Sequence, residues 1–318
     1  MTDKNRNLLV RVVTALLLLP LVLWLIWQGG VWIALLLGVA AALCALELNL
    51  LPASLPPAPT VAQEVGQEGA VLSGAAIASV GGAFLMPLLI EVRLGFVTAN
   101  LVIAAVLMIA FTDTLLFEEN LANAPRRVGL AVLGVVYPGL LLSALVRLRQ
   151  VDRGEWWVLL ALTVTWMNDT CAYFSGRAFG KHKLYVRISP SKTWEGAIGG
   201  ALGSMVGAVA VQLLWIPGLP TWGAALIGAG AALLGPLGDL SESMLKRSFG
   251  AKDSGRLLPG HGGMLDRIDA LIFNAPFVLL CARLLTCRGW RTPRCAFRLA
   301  GTWASSSRPD SPFSPSRW

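Results

Sequence analysis

The sequence predicts an all-α, polytopic integral membrane protein with roughly nine transmembrane helices. Of its 318 residues, 55% are hydrophobic and only 14% are charged, whereas soluble domains carry about 25% charge. Mean hydropathy is +0.66. The apolar residues also gather into runs of about 20, the length that crosses about 30 Å of hydrocarbon.

The runs lie near 8–28, 31–51, 69–90, 94–117, 128–147, 156–174, 195–217, 222–241 and 268–287. Lys4, Arg6 and Arg11 around the start of the first resemble a signal-peptide n-region, but a second run follows at once with no A-x-A site between. The first run therefore reads as a retained signal anchor. Residues 1–155 are expected to form N-terminal transmembrane helices and 156–287 a catalytic transmembrane region with cytosolic loops. From 288 the chain turns rich in Arg, Ser and Pro and reads as a disordered tail.

Cys44, Cys171, Cys281, Cys287 and Cys295 are scattered, with no C-x-x-C pair, so neither a disulfide framework nor a thiolate metal site is indicated. The formal charge of +8 lies beside spans rather than in one soluble basic domain. It marks cytoplasmic loops, and no nucleic-acid partner is expected. Two basic loops, 175–194 and 242–267, are separated by two spans and must emerge on one face, the cytoplasm by the positive-inside rule. With nine spans, the basic segment 147–155 falls outside and the acidic, Pro-rich stretch 52–68 inside, against that rule. In the seventh span Gly196, Gly199, Gly200, Gly203 and Gly207 form overlapping G-x-x-x-G steps that favour close helix packing, and such faces make a homodimer an expectation.

The chemistry gathers in the two loops. In GPLGDLSESMLKR, Asp239, Glu242, Ser243 and Lys246 recur at helical spacing and share one face. A carboxylate ending an apolar span is costly unless a cation or partner meets it, so Asp239 is either functional or an interfacial cap paired with Lys246. The loop that follows joins Lys246, Arg247, Lys252 and Arg256 to five glycines and closes on Asp266, Arg267 and Asp269. Glycines admit backbone N–H groups to a bulky anion and Lys and Arg neutralise phosphate. Carboxylates among so many cations suggest a divalent metal, since Mg²⁺ is usually held by one or two carboxylates plus substrate phosphates. Together they describe a nucleoside triphosphate site.

The nearest approach to a P-loop, GRAFGKH at 176–182, has the wrong spacing and places His182 where Ser or Thr should hold the metal. With only His182 and His261 present, neither a histidine zinc site nor a Ser-His-Asp triad is indicated. His261 reads as a proton carrier, a phosphate contact or a turn residue. Upstream, Asn168 and Asp169 interrupt the sixth span. ISPSKTWEG then offers Ser189, Ser191, Lys192, Thr193 and Glu195, which suit a phosphate headgroup or a simple helix N-cap.

The run S-x-x-K-R-x-x-x-x-K-D-x-G-x-x-x-P-G-H-G-G-x-x-D-R-x-D from Ser243 to Asp269 resembles the signature of the phosphatidate cytidylyltransferases, or CDP-diacylglycerol synthases. NDTCAYFSGRAFGKHK and SPSKTWEG resemble the same family's upstream segments, so the likeness covers at least 160–286 and fails beyond 287. The resemblance implies that CTP and phosphatidate give CDP-diacylglycerol and pyrophosphate with Mg²⁺, at a site open to both cytosol and membrane lipids in a bacterial inner membrane. It implies that Asp239 and Asp266 hold a centre of one or two cations. Lys246, Arg247 and Lys252 would neutralise triphosphate, with Asp253, Arg267 and Asp269 in support. Ser189, Ser191, Lys192 and Thr193 become candidates for the headgroup, Asn168 and Ser243 further substrate contacts, and Asp169 a group linked to the metal. Two rivals stand beside this reading: a CTP-dependent polyprenol or lipid kinase, which would release CDP, and an ion-coupled transporter, which would require an internal symmetry the sequence lacks.

Overall fold

The computed structural model describes residues 19–51, 73–92, 95–186, 188–251, 253–255 and 262–286. Lys252, Arg187, Arg256 and His261, the stretch 52–68 and the tail from 288 lie outside them. In chain order the helices are α1 Leu19–Gln28, α2 Gly30–Leu50, α3 Gly74–Glu91, α4 Gly95–Phe117, α5 Ala124–Gly134, α6 Leu141–Arg149, α7 Gly154–Phe179, α8 Trp194–Trp215, α9 Thr221–Ser248 and α10 Leu265–Thr286. Between α7 and α8, β1 Lys183–Tyr185 and β2 Ser189–Thr193 form a small antiparallel hairpin that apolar periodicity did not announce.

Seven segments among the described residues are long and apolar enough to cross a membrane: α2, α3, α4, the Leu121–Arg149 stretch, α8, α9 and α10. The fold is all-α and polytopic, as the composition predicts. The Leu121–Arg149 stretch is one span in two helices, because Pro138 has no N–H to donate and the turn around it widens into a π-bulge over Val135–Leu140. α7 is 26 residues long but carries Asn168 and Asp169 within it.

One end of the bundle gathers the C-termini of α2, α7 and α9 and the N-termini of α8 and α10. At this end Arg127 joins Asp113 at 3.0 Å to Glu118 at 2.5 Å, tying α5 to α4, and its guanidinium holds the Glu118 carboxyl below the usual carboxylate range. The opposite end holds the 147–155 segment. There Arg149 donates to the carbonyls of Ile26 and Trp27, each at 3.0 Å, and Arg153 to that of Trp215 at 3.2 Å. Their cations cap helix C-termini, which explains basic residues on the face where charge bias does not predict them. Beside them Trp156 stacks on Trp215 and meets Trp27 edge to face, an aromatic cluster of the kind found at membrane interfaces.

The glycines of α8 face α7 of the same chain. A Cβ at Gly200 would stand 2.6 Å from Asn168 Oδ1, and one at Gly203 2.3 Å from Cys171 Sγ. The stripe behind the dimer expectation is thus occupied by packing within the chain. At the next crossing, a Cβ at Gly228 of α9 would meet the Met205 backbone at 2.5 Å, which no rotamer change relieves. Gly228→Leu is therefore expected to lower stability by about 1–3 kcal/mol, the usual cost of overpacking, read as a fall in the thermal unfolding midpoint of the detergent-purified protein.

Candidate active site at the α9–α10 seam

α9 and α10 run antiparallel and touch along a seam of polar residues set one helical turn apart. At its outer rung, the Lys246 ammonium lies between Glu242, at 2.6 Å, and Asp266. The Glu242 side chain is 1% exposed and that of Lys246 10%. An unpaired charge here would be prohibitive, so these groups hold one another. The other Asp266 oxygen accepts from the Ser254 and Gly263 amides, each at 3.2 Å, and from the Ser254 hydroxyl at 3.0 Å. At the next rung Gly238 brings α9 against the Asp269 backbone, since a Cβ there would stand 2.5 Å from the Asp269 carbonyl oxygen. Asp239 follows, with Ser243 donating to it at 3.3 Å. Deeper still, Asn274 donates to Thr165 of α7 at 2.9 Å.

The hairpin brings the other loop to this seam. Lys192 reaches Asp239 of α9 at 2.6 Å, joining the hairpin to the helix that leads into the second basic loop. Asp169 on α7 and Asp269 on α10 lie close enough to Asp239 for the three carboxylates to repel one another, with Lys192 the cation among them. Thr193 is the N-cap of α8 and accepts from the Gly196 amide at 3.1 Å. Glu195 turns back to accept from the Lys181 and His182 amides and pairs with the His182 ring at 2.6 Å, fixing the hairpin to α8. α9 ends in a Schellman turn at Gly250, φ 64°, with Ala251 N–H on the Lys246 carbonyl.

The sequence pattern of the cytidylyltransferase family matches residues 9–285, which take in every described helix but for the last residue of α10. The chain belongs to the cytidylyltransferase family. A Brucella suis protein named phosphatidate cytidylyltransferase is 35% identical over 277 residues, covering 86% of this chain and 93% of that one. A Bacillus subtilis protein of the same name is 37% identical over 188 residues, 58% of this chain and 67% of that one. One from Staphylococcus haemolyticus is 46% identical over 125 residues, 39% and 48% of the two chains.

Of the residues that the family signature selects, the structure gathers Asp169, Lys192, Asp239, Ser243, Lys246, Asp266 and Asp269 at one end of the bundle. Asn168 lies deeper, 2% exposed at the α7–α8 crossing. Ser189 and Ser191 sit on the hairpin with their hydroxyls 3.5 Å apart. Arg247 donates to the Ala251 carbonyl at 3.1 Å, and Asp253 and Arg267 are on the exposed side. Lys246, expected on the triphosphate, instead stands between two carboxylates, and Thr193 has its hydroxyl in the cap.

Two residues of the network carry no earlier assignment. Glu242 shares the face of Asp239 and Lys246 but is buried as the partner of Lys246. Glu47, on α2, is 1% exposed and accepts from the Met264 amide at 2.7 Å and the Leu265 amide at 2.9 Å, and it lies 2.9 Å from the Ser254 hydroxyl, whose single proton it shares with Asp266. Its signal was an acid inside the apolar run LCALELNL, of the kind that marks a functional position in a membrane segment.

Among the described residues, no three His, Cys, Asp or Glu side chains are arranged to hold a metal ion unaided. Carboxylate oxygens are the donors Mg²⁺ takes, usually one or two from the protein, with phosphates and water completing its shell. Asp239, with its side chain 39% exposed, is the most open carboxylate of the pair expected to hold it. Beside the seam, α1, α2, α6, α7 and α10 enclose an apolar cavity of about 240 Å³, with Leu37, Leu145 and Leu162 in its wall and Asp169 and Arg267 at its polar margin.

Lys246→Met leaves Glu242 and Asp266 buried without their cation and is expected to destabilise the protein by about 3–5 kcal/mol. Adding Glu242→Gln should recover a large part of the thermal midpoint. Additive losses in the double variant would show that the two side chains do not interact.

Proposed function

We propose that this chain transfers the cytidylyl group of CTP to phosphatidate, giving CDP-diacylglycerol and pyrophosphate, in a bacterial inner membrane with the seam facing the cytoplasm. The observation that carries this reading is the meeting of Lys192 with Asp239, which sets a cation of the hairpin against a carboxylate of α9. The cavity leads from Asp169 into apolar surroundings, as a lipid with a charged head requires.

In the reaction a phosphatidate phosphate oxygen attacks the α-phosphorus of CTP in line. The new bond is O–Pα, the bond broken is that from Pα to the bridging oxygen of the β-phosphate, and pyrophosphate leaves with the electron pair. No covalent protein intermediate is needed, so the chain contributes positioning and charge. Lys192 and the hydroxyls of Ser189 and Ser191 orient the lipid phosphate, and Arg247 neutralises the triphosphate. Asp239 and Asp266 would hold Mg²⁺, with Asp169 and Asp269 beside them, and the chemistry the metal would supply there is neutralisation of charge on phosphoryl oxygens. One acyl chain of the lipid lies in the cavity, past Asp169 and Arg267.

The test supplies detergent-purified protein with CTP, phosphatidate and Mg²⁺ and measures pyrophosphate and CDP-diacylglycerol as each component is omitted. Equal amounts of the two products, dependent on lipid and metal, are expected, and CDP with a phosphorylated lipid would establish a kinase instead. Asp239→Ala should cut turnover by about a hundredfold or more, because metal-centred charge stabilisation is worth several kcal/mol and each 1.36 kcal/mol is tenfold. Its exposed position makes it a cleaner probe than Asp266, whose loss would also unpair Lys246. Near-normal activity in Asp239→Ala would remove its metal role.

A further inference from the structure

Glu47 lies at the end of α2 away from the cavity-lining Leu37, with no part in the transfer step as described, and its surroundings are built for it. Its carboxylate meets the first amides of α10, those of Met264 and Leu265, which a helix leaves without internal partners. The Ser254 hydroxyl sits between it and Asp266, 2.9 Å from one carboxylate and 3.0 Å from the other. Two glycines make room. A Cβ at Gly255 would stand 2.9 Å from Glu47 Oε1, and one at Gly263 would stand 1.8 Å from the Ser254 hydroxyl and 2.8 Å from Glu47 Oε2. Gly262, at φ 83°, turns the chain into this contact.

We propose that Glu47 is a positioning residue for the transfer reaction. From α2 it clamps the start of α10 and, through Ser254, fixes the direction of the Asp266 carboxylate one residue beyond the clamp. Bulk stability does not demand a carboxylate at this place, since well-packed apolar groups often replace buried polar networks without loss. What an apolar side chain could not do is hold two amides and a hydroxyl in one orientation while Asp266 takes the other side of that hydroxyl. The inference rests on the cytidylyl-transfer reading for its catalytic consequence but not for the clamp itself.

The test compares the full-length protein with Glu47→Gln, which keeps the size but turns an NH₂ group toward at least one of the donors, and with Glu47→Asp, which keeps the charge. Three quantities are read: amide hydrogen exchange at 263–266, kcat and KM with the Mg²⁺ dependence of turnover, and the thermal midpoint. In Glu47→Gln, exchange at Met264 and Leu265 should quicken at least about tenfold. Turnover should fall about 10–100-fold with a raised Mg²⁺ requirement, the range typical of groups that orient a metal ligand. The KM for phosphatidate should stay within about twofold, the midpoint should move by only a few degrees, and Glu47→Asp should recover part of both exchange protection and turnover. Unchanged exchange overturns the clamp. Faster exchange with normal kcat and Mg²⁺ dependence overturns the positioning role, as does activity that falls only in step with the folded fraction. If the parent protein shows no cytidylyl transfer, the functional reading fails, while the exchange comparison still decides whether Glu47 holds α10.

Discussion

The burial of the Lys246 ammonium between Glu242 and Asp266 is the constraint on which this end of the bundle depends. Three charges at the end of two membrane helices are tolerable only together, so α9 and α10 must meet in one register. That register sets the rest of the seam: Gly238 against the Asp269 backbone, Asp239 beside it, and Asn274 on Thr165 below. The loop between the helices inherits the same discipline, because Asp266 is also the acceptor for Ser254 and Gly263. A cluster that would be ruinous if loosely arranged becomes a fixed set of charges.

Function follows from where this end lies. A triphosphate needs cations, metal-binding carboxylates and water, whereas a phospholipid needs an apolar passage. The seam gathers cations and carboxylates near the helix termini, and the cavity beside it, walled by Leu37, Leu145 and Leu162, is apolar. The hairpin between α7 and α8 joins them by setting Lys192 on Asp239. Close packing of α7 on the α8 glycines brings Asn168 and Asp169 into this end, so the small residues of one helix place the carboxylate of another.

The fold was legible in the sequence because hydrocarbon demands long apolar runs, and those runs are the helices. The seam was legible through helical spacing, which puts Asp239, Glu242, Ser243 and Lys246 on one face, and through a family signature dense enough to align. Neither source revealed which charges pair. Lys246 reads equally well as a phosphate ligand or as a buried counter-ion, and only the approach of α10 distinguishes them. Glu47 was hidden for a different reason: its partners lie more than 200 positions away in the chain, at Ser254, Met264 and Leu265. Arg149 and Arg153 misled the charge bias because both cap helix ends, a use that no local pattern discloses.

The central claim is that this seam transfers the nucleotide and not a terminal phosphate. The most direct measurement gives the purified protein phosphatidate and Mg²⁺ with CTP labelled at either the α- or the γ-phosphorus, and follows the label into lipid. The account predicts that α-label enters the lipid while γ-label leaves as pyrophosphate. Recovery of γ-label in the lipid, with CDP released, would contradict it.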